Sequence, residues 1–432
     1  MRFLILPNQL FDKKYLDKSL HYVIWECPHF FTAYNYNKKK LMLHRASMKY
    51  YYDYLKKHNY RVSYIEYNNI LEQDESYLLY NPLNKPDILG LPKHYKIYDK
   101  PTPSLLLSPT LITEYRKKTK KFFFNAFYMW SKQKLNIIPK IKSQDKMNRS
   151  IIKNTPDIKQ PFESQQKLNK YIEESIKYVQ KHFPNNYGNT DNFIFPITHK
   201  DANNWLTHFI KYKSESFGTY QDFIHKDNPY LYHSLLSSLI NIGLLTPLDV
   251  IKHLNPSIPL NSYEGFIRQL FWREYQYYCY IYYDYSNKNY FNNNKKLTTE
   301  WYIGNTGIAP IDDAIKEGFN SGYLHHIRRL MVVGNYMNLC QIHPKEGFRW
   351  FMEFSCDSYE WVMYQNVYDM VFFVSGGATM RRPYISSSNY IIKMSNYKKD
   401  KWSEVWNNKY KQFIIRNKKK LMKFRYYIRL HT

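Results

Sequence analysis

The N-terminal part of the chain alternates short apolar runs with one long amphipathic segment. RFLILP (Arg2 to Pro7), HYVIWE (His21 to Glu26) and RVSYIEY (Arg61 to Tyr67) are rich in β-branched and aromatic residues, which favours strands. Apolar residues recur at helical spacing from Lys40 to His58, and this pattern ends at Asn59. Two strands, a helix and a third strand in this order predict a parallel α/β sheet.

After about residue 192, strand patterns nearly disappear and helical periodicity dominates. Ala202 to Ile210 and Ser234 to Leu245 are each predicted to form a helix, the second ending before Pro247. We therefore predict a Rossmann-like α/β domain with a parallel sheet over residues 1–135, a connection over 136–195 and an all-α domain over 196–432. Residues 81–106, rich in Pro, Lys and Tyr, are predicted to be a surface connection. The GxGxxG fingerprint is missing, so the sequence does not favour a classical dinucleotide site.

The charge of the chain points to a class of partner. Its 432 residues carry 63 Lys and Arg against 36 Asp and Glu, a net charge of +27, and 19% are aromatic. Such a field attracts polyanions, so nucleic acid is the first candidate partner and an anionic membrane surface the second. An AT-rich coding sequence would also enrich Lys, Asn, Ile and Tyr without selection for binding. Charge and aromatic content alone therefore leave the partner open.

The cysteines and apolar segments bear on the compartment. Cys27, Cys279, Cys340 and Cys356 lie far apart without a CxxC pair, which indicates neither a disulfide framework nor a zinc site. The apolar run from Phe3 to Leu6 is too short for a signal-peptide core, and no segment approaches the ~20 apolar residues that span a bilayer. We expect a soluble, intracellular monomer that binds no membrane, in the cytoplasm, a nucleoid or a viral factory.

Two segments of the predicted all-α domain mix polar rings and guanidinium groups into apolar patterns. They run from Gly265 to Tyr278 and from Ser321 to Pro344. Buried indole, imidazole and guanidinium groups must find partners in the protein or in a ligand. This combination predicts a deep aromatic pocket for a large polar cofactor.

Several longer motifs follow one another in a specific order. They are FGTYQDF (Phe217 to Phe223), Tyr232 to Pro247, FIRQLFWREY (Phe266 to Tyr275), Thr306 to Met337, Tyr359 to Trp361 and Pro383 to Ser395, with DKMNRS (Asp145 to Ser150) upstream. Together they resemble the photolyase and cryptochrome superfamily, most closely its photolyase-related branch, whose best-known members are prokaryotic (6-4) photolyases. The resemblance covers nearly the whole chain. It implies a noncovalent FAD in the helical domain, an antenna chromophore in the α/β domain and UV-damaged DNA as the partner.

The resemblance implies which residues contact the FAD. A flavin pyrophosphate needs hydroxyl and backbone donors near a helix start. The matching phosphate segment is His233, Ser234, Leu235 and Ser237, with Tyr220 upstream; an ordinary serine N-cap is the alternative. The other matching positions are Phe266, Gln269, Asn366, Met363 and the Arg329 and Asp357 pair. Met363 stands where relatives place a polar residue beside flavin N5, and a thioether cannot relay a proton, so the resting redox form of the flavin stays open.

The resemblance also implies a wall that meets the damaged bases. Gln269 and Trp272 lie three residues apart and so share a helix face, with the indole stacking on the bases and the amide binding their edge. Gln at position 269 agrees with many (6-4) photolyases, whereas cyclobutane-dimer enzymes often carry Glu. His326 matches the active-site histidine that gives a proton to the (6-4) lesion, and His325 would support it. An imidazole suits that step because its unperturbed pKa is about 6.5. A core tryptophan and a pair of core histidines are the alternatives.

Further matches concern electron transfer and the antenna. Trp350, Tyr359 and Tyr302 match an aromatic relay in relatives, although Phe351 replaces a redox-capable tyrosine and Tyr302 replaces a tryptophan. The crevice that holds a lumazine-type antenna matches Asn8, Gln9, Glu26 and Lys40. Ligands do favour the carboxyl ends of parallel strands, but solvent-facing loop residues are the alternative for each of the four.

One departure from the family concerns metal. Relatives bind a four-iron, four-sulfur cluster through four cysteines, and the matching positions here are Pro310, Lys398, Lys401 and Ser403 or Glu404. None is a thiolate, so we expect no iron–sulfur cluster.

The leading hypothesis is a light-driven, FAD-dependent DNA photolyase, a carbon–carbon lyase that favours the (6-4) product. The alternatives are a cryptochrome-like flavin photoreceptor without repair activity and a degenerate, flavin-free nucleic-acid-binding protein.

Overall fold

Parallel strands form the sheet that the apolar runs predict. The computed structural model describes residues 1–153, 156–163 and 169–424; the others fall in the predicted connection and at the end of the predicted all-α domain. The strands are β1 (Arg2–Ile5), β2 (His21–Trp25), β3 (Arg61–Ile65), β4 (Tyr77–Leu79) and β5 (Tyr95–Ile97), in the spatial order β3-β2-β1-β4-β5. In register, Tyr22 of β2 lies opposite Phe3 on one side and Val62 on the other. The predicted strands are confirmed, each one or two residues shorter than the apolar run.

The prediction of a surface connection over residues 81–106 is wrong where β5 forms. β5 is a three-residue edge strand that pairs with β4. A strand this short, with mostly exposed side chains, needs no β-branched apolar run and therefore leaves little pattern in the sequence.

Helices follow the strands in the first part of the chain and are the main regular structure in the later described part. In the first part they are α1 (His29–Thr32), α2 (Lys38–Lys57), α3 (Pro86–Leu89), α4 (Pro109–Lys118), α5 (Phe124–Lys134) and α6 (Lys170–His182). The later ones are α7 (His199–Tyr212), α8 (Ser214–Tyr220), α9 (Ser237–Asn241), α10 (Pro247–His253), α11 (Leu260–Tyr282), α12 (Glu300–Ile303), α13 (Ala309–Ser321), α14 (Asn335–Leu339), α15 (Pro344–Phe354), α16 (Glu360–Met363), α17 (Ser388–Lys393), α18 (Lys401–Arg416) and α19 (Lys418–Leu421). Short 3₁₀ turns occur at Lys13–Tyr15 and Asp145–Met147. The predicted α/β-then-helical fold class is confirmed.

One predicted helix is much shorter than its pattern. The helix expected over Ser234 to Leu245 is confined to α9, because Leu235 has a φ of 60° before it and Gly243 a φ of 90° after it. A Cβ at position 243 would lie 2.9 Å from the ring of Phe11, so glycine lets this turn approach the sheet domain closely.

Two helical segments have π geometry, which the sequence did not predict. They are Arg328–Gly334 and Tyr364–Val371, and both lie in the helical part. π-Helical turns are rare in proteins, and those that do occur are often found at functional sites. These two segments border the cavity described below.

A buried ion cluster joins the predicted connection to the α/β domain. Arg45 of α2 donates to Glu26 at 2.9 Å and to Glu174 of α6 at 2.6 Å. Glu26 is fully buried and also accepts hydrogen bonds from the hydroxyls of Tyr64 and Tyr178. α6 packs on α2, and α5 packs on α11, so contacts cross both predicted domain boundaries, at 135 and at 195. These boundaries therefore stay a prediction.

Within residues 1–153, 156–163 and 169–424, no helix combines the length and apolarity needed to cross a membrane.

Arg45→Ala is expected to lower the free energy of unfolding by about 3–5 kcal/mol, because Glu26 would remain buried without its cation. Urea denaturation followed by circular dichroism measures the change. The matched control is Arg2→Ala, which removes an exposed pair with Glu72 and should cost less than about 1 kcal/mol. Equal losses in the two variants would contradict a structural role for the buried cluster.

Candidate functional site

A cavity of about 550 Å³ opens in the helical part of the chain. Its size suits a large organic ligand. It brings together nearly all of the residues predicted for FAD and for damaged bases: His233, Ser234, Leu235, Ser237, Phe266, Gln269, Trp272, His325, His326, Arg329, Asp357, Met363 and Asn366. Tyr220 is not part of this lining; its ring stacks on Tyr232 with centroids 5.4 Å apart.

An ion pair that is mostly buried lies in the cavity wall. The guanidinium of Arg329 donates to both carboxylate oxygens of Asp357, at 2.9 and 3.1 Å. The hydroxyl of Ser237 donates to the same carboxylate at 2.7 Å, and Ser355 donates to it as well. Burial alone would raise the pKa of Asp357, but Arg329 and the two hydroxyls hold it below its ordinary value. The carboxylate therefore stays ionised and keeps its cation in place.

The predicted phosphate segment is a strained loop. Leu235 adopts a left-handed conformation before α9, which costs a branched residue energy and commonly marks a functional constraint. α9 has only five residues, so its macrodipole is weak and side chains must supply most of the charge for an anion.

Arg273 supplies a positive charge of this kind, and it was not predicted from the sequence. This buried side chain lines the cavity and donates from Nε to Asn241 at 3.1 Å and from one terminal nitrogen to the carbonyl of Ser104. Its other terminal nitrogen has no partner among the described residues. Burial lowers the pKa of Arg273 to about 10, which still leaves it charged near neutral pH. Its place directly after Trp272 in a buried helical pattern was the signal that could have revealed it.

Trp272 and Gln269 stand together on the wall formed by α11. Both line the cavity, as their spacing predicted. Trp272 is half-buried rather than a core residue, and one face of its indole stacks on Phe124. Nε2 of Gln269 donates to Oε1 of Gln221 at 3.4 Å, which is long for a hydrogen bond, so this contact holds the amide only weakly. The wall therefore offers an aromatic plane beside an amide.

The two adjacent histidines have different environments. His326 is exposed and lines the cavity, where the surrounding protein and the charge of Arg329 lower its pKa below the ordinary value. His325 is buried, and neither of its ring nitrogens has a partner among the described residues. Its ring stacks on that of His233 with centroids 4.4 Å apart, and His233 in turn bonds the carbonyl of Gln221 at 3.0 Å. His325 therefore supports the wall, while His326 faces any ligand.

Met363 and Asn366 also line the cavity. Asn366, in the second π-helical segment, donates to the carbonyl of Val362 at 3.0 Å. Its amide oxygen has no partner among the described residues. The thioether of Met363 adds no proton-accepting group, so of these two side chains only the amide of Asn366 can make strong hydrogen bonds.

The predicted relay residues separate into two places. Trp350 packs on Phe354 at 4.8 Å and on Phe319 at 5.6 Å, and Phe319 lies 5.8 Å from Tyr302. This chain of rings starts beside Arg329, whose guanidinium lies 5.2 Å from Phe354. Tyr359 lies elsewhere: its hydroxyl bonds His44 at 2.8 Å.

The four predicted antenna residues are all buried, so the alternative of solvent-facing loop residues is wrong for them. The carboxylate of Glu26 accepts a hydrogen bond from Arg45, and the ammonium of Lys40 donates to the carbonyl of Ser358. Asn8 and Gln9 donate to backbone carbonyls, but their amide oxygens have no partner among the described residues.

The positions that match cluster ligands do not fit an iron–sulfur centre. Ser403 caps α18 through Asp400, Pro310 lies in the first turn of α13, and Lys398, Lys401 and Glu404 are exposed. Across the part of the chain that the structure describes, no group of three His, Cys, Asp or Glu side chains could hold a metal ion.

The chain is similar in sequence to known proteins. Residues 3–81 and 92–195 match a family model for deoxyribodipyrimidine photo-lyase-related protein, and residues 266–419 match one for the FAD binding domain of DNA photolyase. The chain is 38% identical to a (6-4) photolyase of Agrobacterium fabrum over 286 residues, which cover 62% of this chain and 56% of that protein. The match thus spans little more than half of the relative's length.

Two solved structures share the fold. A bacterial class III photolyase from Agrobacterium tumefaciens has a TM-score of 0.55 at 13% identity, over 91% of this chain and 86% of that one. An archaeal photolyase from Sulfolobus tokodaii, described with two FAD molecules, has a TM-score of 0.54 at 14% identity, over 86% of this chain and 85% of that one. Because the two family models together match most of the chain, the chain belongs to the photolyase/cryptochrome superfamily.

Proposed function

We propose that this chain is a light-driven, FAD-dependent DNA photolyase that repairs UV-induced pyrimidine photoproducts, with the (6-4) product favoured. The observation that carries the proposal is the cavity, which combines the buried Arg329–Asp357 pair with an aromatic, amide and imidazole wall. The (6-4) photolyase relative and the net charge of +27 support DNA as the substrate.

The chemistry of the lining fits FAD. Arg273 and the segment from His233 to Ser237 would hold the pyrophosphate, because Arg273 has a free terminal nitrogen and Ser234 contributes a hydroxyl. Arg329 and Asp357 would contact the flavin, and the unpartnered oxygen of Asn366 would accept a flavin N–H. When bound, reduced and excited by light, FAD supplies the electron for reversing the photoproduct.

The wall residues would then act on the damaged bases. The lesion is hidden in a duplex and must be extruded into a pocket, as is general for enzymes of this kind. Trp272 would stack on one base, Gln269 would bind a base edge, and His326 would be the acid–base group beside the (6-4) lesion. Because its pKa is lowered in the free protein, bound DNA would have to raise that pKa before the ring could give a proton. His325 would keep His326 in place from the buried side.

Two further parts of the proposal concern electron supply and light capture. Trp350 and Tyr302 would bring electrons towards the cavity through Phe319 and Phe354, and Tyr359 would belong to a separate branch near His44. A lumazine-type antenna would contact the free amide oxygens of Asn8 and Gln9, since Glu26 and Lys40 are already bonded.

A cryptochrome-like photoreceptor is the second candidate function. Met363 favours this function, because its thioether can neither accept nor relay a proton, which would change how the flavin's redox state is controlled. Repair is still the better-supported function, because a photoreceptor needs neither the exposed His326 nor the open face of Trp272.

The proposed function is tested by illuminating the reduced protein with an oligonucleotide that bears either a (6-4) product or a cyclobutane dimer. Chromatography measures the restored bases. We expect light-dependent restoration of the (6-4) oligonucleotide. Flavin binding without any light-dependent change in either lesion would favour the photoreceptor.

His326→Ala is expected to reduce (6-4) repair at least ~100-fold, because a positioned acid–base group contributes about 10²–10⁴ in rate. Bound FAD should stay at one per chain, as read from its absorption. The control is His94→Ala, which changes an exposed histidine next to β5 and should leave repair unchanged. Unimpaired repair by His326→Ala would remove this residue from the mechanism.

Asp357→Asn is expected to weaken FAD binding roughly 10- to 100-fold, because a hydrogen bond to a charged group contributes about 1.5–3 kcal/mol and Arg329 would lose its counter-charge. Equilibrium dialysis with fluorescence detection of free flavin gives the dissociation constant. Asp249→Asn is the matched control, since Asp249 pairs with Lys14 at the surface and is not part of the cavity lining. An unchanged constant for Asp357→Asn would contradict the assignment.

A further inference from the structure

One face of the Trp272 indole is covered by a ring that lies far away in sequence. Phe124, the first residue of α5, stacks on Trp272 with ring centroids 3.7 Å apart and planes only 8° apart. Trp272 lines the cavity, whereas Phe124 is buried and does not. Only the other face of the indole is therefore open to a ligand.

The covering ring is itself held from behind. Tyr128, one turn further along α5, stacks on Phe124 at 5.7 Å with planes 9° apart. The hydroxyl of Tyr128 donates to the buried carboxylate of Glu264 on α11 at 2.8 Å. The three rings Trp272, Phe124 and Tyr128 thus form a stack whose far end is anchored to the helix that carries Trp272.

Two more side chains on α11 border this stack. The guanidinium of Arg268 lies 4.9 Å from the centre of the Phe124 ring and 5.9 Å from that of Trp272, and Asp145 holds it at 2.9 Å. Tyr275 packs edge-on against both Phe124 and Trp272, at 5.6 Å in each case. Phe124 covers one face of the indole, Tyr275 packs edge-on against it, and α11 fixes its backbone. The indole therefore has little freedom to rotate away from the cavity.

This arrangement matters for binding a planar ligand. Fixing a mobile side chain when a ligand arrives weakens the affinity about two- to tenfold for each such residue. An indole that is already held parallel to Phe124 avoids that loss. Because its inner face is covered, it can stack on one flat ring at a time.

We propose that Phe124 is a positioning residue for damaged-base recognition, which holds Trp272 so that its open face stacks on an extruded base. This role rests on the proposed function, because it assumes that the cavity receives a base from damaged DNA. It also extends the site across the chain, since α5 belongs to the predicted N-terminal domain and Trp272 to the helical one.

The test compares the full-length wild type with Phe124→Leu and Phe124→Tyr. Fluorescence anisotropy in the dark, at one fixed salt concentration, gives the dissociation constants for a single-stranded oligonucleotide with a (6-4) product and for its undamaged counterpart. We expect Phe124→Leu to lower the preference for damaged DNA about three- to tenfold by weakening only the damaged complex. Phe124→Tyr, which keeps a flat ring, should restore the preference.

Phe127→Leu is the matched control for general loosening of α5. Phe127 is fully buried on the same helix and packs on Tyr275 and Tyr278 rather than on Trp272. It should lower the thermal midpoint at least as much as Phe124→Leu yet keep the preference for damaged DNA. If Phe124→Leu does not fold, Phe124→Met takes its place, because it keeps apolar volume without a planar face.

The possible outcomes separate this role from the proposed function. A wild type that prefers damaged DNA, together with a Phe124→Leu variant that keeps the same preference, overturns the positioning role alone. Equal losses of preference in Phe124→Leu and Phe127→Leu overturn it as well, since packing would then explain both. A wild type without any preference for damaged DNA overturns the proposed function and this role together.

Discussion

The pairing of Arg329 with Asp357 is the interaction on which the rest of the site depends. It joins the first π-helical segment to the turn after α15, and the hydroxyl of Ser237 joins the same carboxylate to α9. Three separate stretches of chain therefore meet at one buried carboxylate. A buried ion pair of this kind stabilises a protein weakly by itself, but removal of one partner leaves an unpaired charge at high cost. The pair thus fixes the shape of the cavity more than it strengthens the fold.

Helix α11 is the second constraint, because it serves the fold and the site together. Glu274 accepts the backbone N–H of Leu107 at 3.0 Å, and Glu264 accepts that of Gln144, so the helix is bonded to segments that precede it by more than a hundred residues. The neighbouring positions Gln269, Trp272 and Arg273 line the cavity. A change in how the two halves of the chain pack would therefore also move the residues that meet a ligand.

Much of the fold and of the cavity lining could be predicted from the sequence. The features that could not be predicted have physical reasons. Apolar runs such as His21 to Glu26 predicted strands because a buried parallel sheet requires them. The three-residue spacing of Gln269 and Trp272 placed both correctly on one face of a helix. The π-helical segments were missed because their composition is that of any buried helix, and the turn at Leu235 was missed because leucine gives no signal for a positive φ. Phe124 could not be found, since its contact with Trp272 spans the whole middle of the chain.

The most direct test of the central claim is the flavin content of the purified full-length chain. The protein is incubated with FAD, passed through gel filtration under conditions that keep loosely bound cofactor, and measured by absorption. If the cavity that contains Arg329 and Asp357 is the flavin site, each chain should bind about one FAD, because the cavity forms a single ligand pocket. A protein that carries no flavin absorption after this treatment would contradict the claim that the cavity is a flavin site.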